Sequence, residues 1–127
     1  MINAKAIYNE LLNDETILEL VEEDSIFDSS PSTIEKFPCI CFTDSSQADE
    51  EYADNRHTFQ RCVAEVHIFT KALEGFPTTS EIGVRIADVF NADWWHCSNS
   101  VEVPDPEEDV RHRVMTFSRD VFLDEQI

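Results

Sequence analysis

Residues 61–90, RCVAEVHIFTKALEGFPTTSEIGVRIADVF, carry a strand pattern followed by a helix pattern, and the rest of the chain is arranged around them. In residues 61–70 apolar and polar side chains alternate, and alternating residues point to opposite faces of a strand. The apolar face consists of Cys62, Ala64, Val66 and Ile68, and the polar face includes Arg61, Glu65 and His67. The stretch therefore predicts a strand that is buried on one face.

The spacing of the apolar residues changes after a turn at Gly75–Pro77. From there they recur at helical intervals, at Ile82, Ile86, Val89 and Phe90. Thr78 offers a hydroxyl N-cap and is followed in the first turn by the acid Glu81, which is the pattern of a capping box. A strand and a helix joined by a short turn can bury their apolar faces on each other, so this unit predicts the centre of the core.

The other apolar patterns predict a helix before this unit and strands on both sides of it. Residues 2–23 have helical spacing, interrupted at Asn13–Asp14, where Asp14 is suited to be a second N-cap. Strands are predicted at residues 37–44 (FPCICFTD), around Val101 and Val103, and at residues 110–123 (VRHRVMTFSRDVFL). The resulting order predicts an α+β fold with an antiparallel sheet of about four strands and helices packed on one face.

In residues 110–123 the apolar side chains change from one face of the strand to the other. This change of face leaves two alternatives, a β-bulge within the strand or partial cover on both faces.

The composition indicates one acidic folded domain that spans residues 1–127. Twenty-seven acidic residues against nine basic ones give a net charge of -18, while a hydrophobic content of 42% is ordinary for a folded protein. This charge disfavours binding to nucleic-acid phosphates and to anionic membranes, because both need clustered Lys and Arg. No apolar run approaches the ~20 residues of a spanning helix, and the N-terminus lacks the features of a signal peptide. We therefore expect a soluble intracellular protein.

Cysteines occur at Cys39 and Cys41, which form a CxC pair, and at Cys62 and Cys97. The pair raises the alternative of a metal site, but residues two apart on a strand stand ~6–7 Å apart, wider than neighbouring ligands of one zinc ion. No CxxC, HExxH or second CxC supplies further ligands. We expect buried or half-buried free thiols, and neither a metal ion nor a cofactor.

Four histidines are candidate bases, namely His57, His67, His96 and His112, but no catalytic arrangement accompanies them. No Ser or Cys stands in a nucleophile elbow, and a chain with two glycines lacks the phosphate-cradling loops of nucleotide-binding proteins. Solvated or hydrogen-bonded histidines are therefore expected, and we predict no enzymatic activity.

The segment Ser45–His57, SSQADEEYADNRH, has neither a strand nor a helix period. It joins two strands that are expected to pair directly, so it predicts a long hairpin loop, and loops of this length are commonly mobile or functional. A solvated loop and an interaction loop are the two alternatives. The candidate contact residues for a partner are Asp49, Glu50, Glu51 and Tyr52.

Two adjacent tryptophans, Trp94 and Trp95, follow the central helix. If the chain is extended there, their side chains point to opposite faces, so one packs in the core and the other lies near the surface. An exposed Trp is a common anchor of protein interfaces, and Trp95 is the candidate for that contact.

Taken in order, several segments resemble the tail terminator or tail-completion proteins of long-tailed phages and related prophages. They are the first helix with IYNELLNDETILELV (7–21), the strand FPCICFTD (37–44), the acidic loop with EEYADN (50–55), the strand VAEVHIFTK (63–71), the helix SEIGVRIADVF (80–90) and the closing VEVPDPEEDVRHRVMTFSRDVF (101–122). The resemblance covers nearly the whole chain, and none of its motifs is catalytic.

The resemblance implies a structural virion protein that caps the finished tail tube as a homohexameric ring. Its partners are then the tail tube protein, a head-side connector and other copies of itself, with no membrane partner. The resemblance also implies that DNA passes through the ring without specific binding and that assembly takes place in the host cytoplasm. Three other functions stay open: a head-side stopper, an acidic adaptor that mimics the charge of DNA, and a small enzyme on the same fold.

Overall fold

The structure is a computed structural model that describes residues 3–29, 34–45, 47–48 and 59–122. Its elements, in chain order, are helices α1 (Ala4–Leu12) and α2 (Glu15–Leu18), a 3-10 turn (Glu23–Ser25), strands β1 (Ile26–Asp28), β2 (Cys39–Asp44), β3 (Gln47–Ala48) and β4 (Phe59–Lys71), helix α3 (Thr79–Ala92), and strands β5 (His96–Val103) and β6 (Val110–Phe122). Within the described residues no helix is long and apolar enough to cross a membrane.

The strands form a mixed sheet in the order β1-β2-β4-β6-β5, and β3 also pairs with β4. The predicted α+β class is confirmed, and β4 lies antiparallel to β2, β3 and β6, as β5 does to β6. The expectation of a purely antiparallel sheet needs a correction, because β1 runs parallel to β2. β1 has three residues and β3 has two, too short to show a period of two in the sequence.

The pair β4–β6 forms the middle of the sheet. Its register is unbroken from Lys71 opposite Val110 to Phe59 opposite Phe122, so β6 has no bulge against β4. The irregularity lies instead in β5, between Cys97 and Asn99. Of the two alternatives for β6, cover on both faces is the one observed. Val110 is buried on one face, and the other face buries Met115, Phe117 and Val121.

Helix α3 covers one face of the sheet because its apolar stripe meets the apolar face of β4. Ile82, Ile86 and Phe90 are buried in the same cluster as Val66 and Ile68. Each such side chain contributes roughly 1.5–3 kcal/mol when it leaves water. The helix also approaches β6 closely, at Gly83: a Cβ there would lie 3.2 Å from the sulfur of Met115.

The helix starts follow the predicted capping residues. The Thr78 hydroxyl accepts a hydrogen bond from the backbone N–H of Glu81, and it caps α3 as expected. Asp14 caps α2 by accepting from both the backbone N–H and the hydroxyl of Thr16. These hydrogen bonds to Thr16, the side-chain one first, hold the pKa of the Asp14 carboxyl below its usual value. The break between α1 and α2 is therefore where the sequence predicts it.

The N-terminal helices complete the core beside α3. Tyr8, Leu12 and Ile17 are fully buried there. Arg85 of α3 donates to the backbone carbonyl of Thr16 and forms an ion pair with Glu19 at 2.6 Å. This contact ties α2 to α3 at the surface of the helical layer.

Candidate interaction surface

The C-terminal end of α3 is closed by a Schellman motif with Trp94 in the position usually taken by glycine. The backbone N–H of Trp94 donates to the carbonyl of Asn91 at 3.1 Å, and that of Trp95 donates to the carbonyl of Phe90 at 3.0 Å. Trp94 has a φ of 67°, in the left-handed region. For a residue with a Cβ this conformation costs roughly 1–2 kcal/mol. The motif therefore holds a large side chain in a strained backbone conformation.

The two tryptophans have opposite environments. Trp95 is 2% exposed and packs edge-on against Tyr8 and Phe90, with ring centroids 5.5 and 5.8 Å away. Its indole N–H donates to the Asp93 carboxylate at 3.1 Å. Trp94, by contrast, is 82% exposed. The prediction that one tryptophan is buried and the other exposed is confirmed, but the choice of Trp95 as the contact residue is corrected, because its ring is part of the core.

Trp95 is the wrong choice for the exposed residue because the chain is not extended at this point. A helix that ends at Ala92 places Trp94 first and Trp95 second after the capping residue Asp93. In a Schellman motif the second of these residues packs back on the last turn of the helix, here on Phe90. That helix-end pattern, combined with the absence of glycine after Ala92, is the signal that identifies Trp94 as the exposed one.

Trp94 borders a shallow depression of about 530 Å³, which we call the Trp94 surface. Its lining consists of Arg61, Trp94, His96, Ser118, Arg119 and Asp120. Arg61 on β4 and Asp120 on β6 stand opposite each other in the sheet, and their side chains meet with Nε to Oδ1 at 2.9 Å. Arg119 reaches the Asp93 carboxylate at 3.5 Å. The surface thus combines an exposed indole with two arginines in a chain that has only nine basic residues.

Acidic side chains collect at the opposite edge of the sheet, just before and within β1. This acidic edge consists of Glu22, Glu23, Asp24 and Asp28. Lys36 reaches both Glu22 and Asp24, at 3.1 and 3.0 Å, and Lys5 reaches Asp28 at 3.2 Å. The pKa of Lys36 is raised, first by its hydrogen bonds to Asp24 and Glu22 and then by their charges. All four acids are exposed, and two lysines offset only part of their charge.

The sheet face that points away from the helices carries a histidine pair. His67 Nδ1 lies 2.8 Å from His112 Nε2, and His67 Nε2 lies 2.6 Å from the Glu65 carboxylate. Phe69 stacks on the His112 ring at a centroid distance of 4.1 Å. Burial lowers the pKa of the His112 ring, and the neighbouring His67 lowers it further. The charge of Asp105 acts in the opposite direction without cancelling this shift. The position of His67 on this face agrees with the predicted alternation.

The cysteines follow their prediction. Cys39, Cys41 and Cys62 are buried and Cys97 is half-buried, all as free thiols. The hydrogen bond with Cys41, and then burial, raise the pKa of the Cys39 thiol, so that thiol stays protonated. No group of three or more potential metal ligands exists among the residues that the structure describes.

A family model described as "Tail completion protein gp17" matches residues 5–119. The chain belongs to this family. The resemblance seen in the order of the sequence segments is thereby confirmed, and a structural role at the tail of a phage-like virion follows from it at the level of the family.

The fold of this tail completion protein recurs in a solved structure titled "Virion of native gene transfer agent (GTA) particle". A chain of that structure superimposes with a TM-score of 0.60 at 14% sequence identity, and the match covers 94% of both chains. At this identity the likeness concerns the fold alone. No curated protein matches the sequence.

The remaining contact residues predicted for the tail completion protein, Asp49, Glu50, Glu51 and Tyr52, lie outside the described residues, as does His57. The structure brings Arg61, Arg119 and His96 together beside Trp94, although no pattern in the sequence groups them. Their proximity depends on the pairing of β4 and β5 with β6, which joins residues far apart in the chain. No local sequence signal contains this information.

Proposed function

We propose that the protein completes the tail of a phage-like particle by capping the tail tube as a homohexameric ring. The ring then provides the docking surface for the head connector, and the protein is part of the virion after assembly in the host cytoplasm. The observation that carries this proposal is the family match over residues 5–119. The likeness to a chain of a virion particle over 94% of both chains supports it at the level of the fold.

Charge and size are consistent with a ring through which DNA passes. A domain of 127 residues has a radius of gyration of about 14 Å, so six copies in a ring surround a hole about as wide as one subunit. With a net charge of -18 per copy, the wall of this hole repels phosphate, and the duplex moves through without being held. DNA is then passing cargo and not a specific ligand.

The proposed activity is assembly and not catalysis, and it needs no cofactor. The partners are the tail tube protein on one side and the head connector on the other, beside further copies of this chain. In this view Asp49, Glu50, Glu51 and Tyr52 form part of the partner contact. We expect that reversing the three acids together, or Tyr52→Ala, will leave the melting temperature unchanged and lower the yield of joined particles.

The test is to assemble particles with and without the protein and to locate it in those that form. We expect that particles without it contain separate heads and tails, and that the added protein joins them and labels the head-proximal end of each tail in electron micrographs. Label on unjoined heads in place of tails would assign the protein to the head-side stopper. Normal joining without the protein would refute the proposed function.

A further inference from the structure

We propose that the Trp94 surface binds a second copy of this chain. It contacts the acidic edge of the neighbouring subunit, which consists of Glu22, Glu23, Asp24 and Asp28. The inference rests on the proposed ring and adds to it the two patches by which the subunits meet.

Backbone strain at an exposed indole is the first argument. Trp94 is exposed over 82% of its surface and has a φ of 67°, where glycine is favoured. An exposed apolar side chain alone is unremarkable, but a bulky residue at a position where glycine would close the same motif without strain points to a function of its side chain. Since Trp is among the residues most enriched at the centres of interfaces, burial against another molecule is that function.

Charge favours the second copy as the occupant. The Trp94 surface contains Arg61, Arg119 and His96 against the carboxylates of Asp120 and Asp93. The acidic edge contains four exposed carboxylates against Lys5 and Lys36. Subunits of charge -18 repel one another. Because Arg61 and Arg119 are each paired with a carboxylate of their own chain, the Trp94 surface carries no net charge, and it repels the acids of a neighbouring copy less than an acidic patch would.

The positions of the two patches suit a ring. The Trp94 surface uses residues of β4, β5 and β6, whereas the acidic edge precedes and includes β1, the strand at the other edge of the sheet. Four strand spacings separate the two edges, or about 19 Å. A contact between two different patches on opposite sides of a chain is head-to-tail, and repetition of such a contact gives a ring when the rotation between successive copies closes.

The experiment is cysteine cross-linking in a tail-assembly lysate, with Cys97→Ser as the common background because Cys97 is the half-buried thiol. The chain with both Trp94→Cys and Glu23→Cys should give, after mild oxidation, a ladder of disulfide-linked species from dimer to closed ring. Each single variant should give no cross-link and should migrate as a monomer on a denaturing gel without reductant, since a head-to-tail contact brings position 94 of one copy to position 23 of the next.

A matched control replaces Glu23→Cys with Glu108→Cys. Glu108 is also an exposed acid, but it lies just before β6, at the end far from the Trp94 surface. Glu108→Cys together with Trp94→Cys should give no ladder. A dimer from Trp94→Cys alone would mean that two Trp94 surfaces face each other, which overturns the proposal. If the double variant is present in joined particles but gives no cross-linked species, the proposed contact is also overturned, while the proposed function stays intact. A ladder without incorporation into particles would keep the contact and refute the tail role.

A second measurement uses charge reversal with a mixing control. Arg61→Glu, or Glu22→Lys together with Asp24→Lys, should lower incorporation into particles on the order of ten- to a hundredfold, as expected for a central interface contact. Because the two variants reverse opposite sides of the contact, an alternating mixture of them places opposite charges against each other at every interface and should recover incorporation, whereas each variant alone should not. Full incorporation of both variants, with unchanged melting temperatures, would refute the assignment.

Discussion

Trp94 and Trp95 are neighbours in the chain, yet their substitutions should act in opposite directions. Trp94→Gly removes an exposed side chain and the strain of its left-handed backbone, so we expect the free energy of unfolding to rise by about 1 kcal/mol. Trp94→Ala keeps the strain and should leave stability unchanged. Urea unfolding measures all three proteins. If Trp94→Gly is less stable than the parent, the side chain supports the fold of the subunit.

Trp95→Ala should destabilise the protein by about 3–5 kcal/mol, because it removes a buried ring from between Tyr8 and Phe90. It also leaves the Asp93 carboxylate without its indole donor. The same urea experiment provides the value. A loss as small as that expected for an exposed site would contradict the burial of this residue.

His112 should make stability depend on pH. Its folded-state pKa lies below the value of 6.5 found without the fold, first because of burial and then because of His67, so the unfolded state binds more protons in the window below pH 6.5. Stability from this group is therefore complete above that pH and is lost as the pH falls through the folded-state pKa. The repulsion among carboxylates changes with pH as well, but it is common to the parent and to His112→Gln.

The measurement compares melting curves of these two proteins between pH 5 and 8, pH values we choose to bracket the window. We expect the advantage of the parent over His112→Gln to shrink as the pH falls. Parallel curves for the two proteins would mean that His112 titrates as it does in the unfolded chain. The Gln variants of His57 and His67 should join particles within a few-fold of normal, since assembly requires no catalytic base.

Helix α3 offers two positions that test its packing on the sheet. Ile86 is fully buried, whereas Val84 on the same helix is 59% exposed. Ile86→Asp places an unpaired charge between helix and sheet, which costs several kcal/mol and should prevent accumulation of soluble protein. Val84→Asp introduces the same side chain at the surface and should leave the yield unchanged. Equal yields of the two variants would contradict the assigned faces of α3.

The sequence predicts an element of this fold where the element shows a clear hydrophobic period or a recognisable helix-capping residue. The alternation in residues 61–70, the apolar stripe from Ile82 to Phe90 and the caps Asp14 and Thr78 each have a local physical cause, and each agrees with the structure. The sequence does not predict β1, because three residues cannot show a period. For the same reason it does not predict the parallel pairing of β1 with β2, which makes the sheet mixed. The grouping of Trp94 with Arg61 and Arg119 depends on strand register, which the local sequence does not encode.

For the complete chain, charge governs association. Copies of -18 repel each other at low ionic strength, where the Debye length is long, so the purified protein in dilute, low-salt solution should be monomeric or only weakly associated. With tail tube protein present, contacts to the tube offset the repulsion and a closed ring should form. Light scattering of the protein alone and of its complex measures both states. A stable hexamer of the purified protein at low salt would contradict the expected monomer. A complex with tail tube protein that contains no ring would contradict the expected assembly.

The pairing of β4 with β6 also has a kinetic consequence. The middle of the sheet joins residues 59–71 to residues 110–122, with α3 and β5 in the intervening segment. The chain must close this long loop before the central hydrogen bonds can form, and the entropy lost in closure raises the barrier to folding. Folding should therefore be slow compared with that of a helical bundle of the same length. The speed at which new subunits become available then depends on how quickly two distant strands find each other.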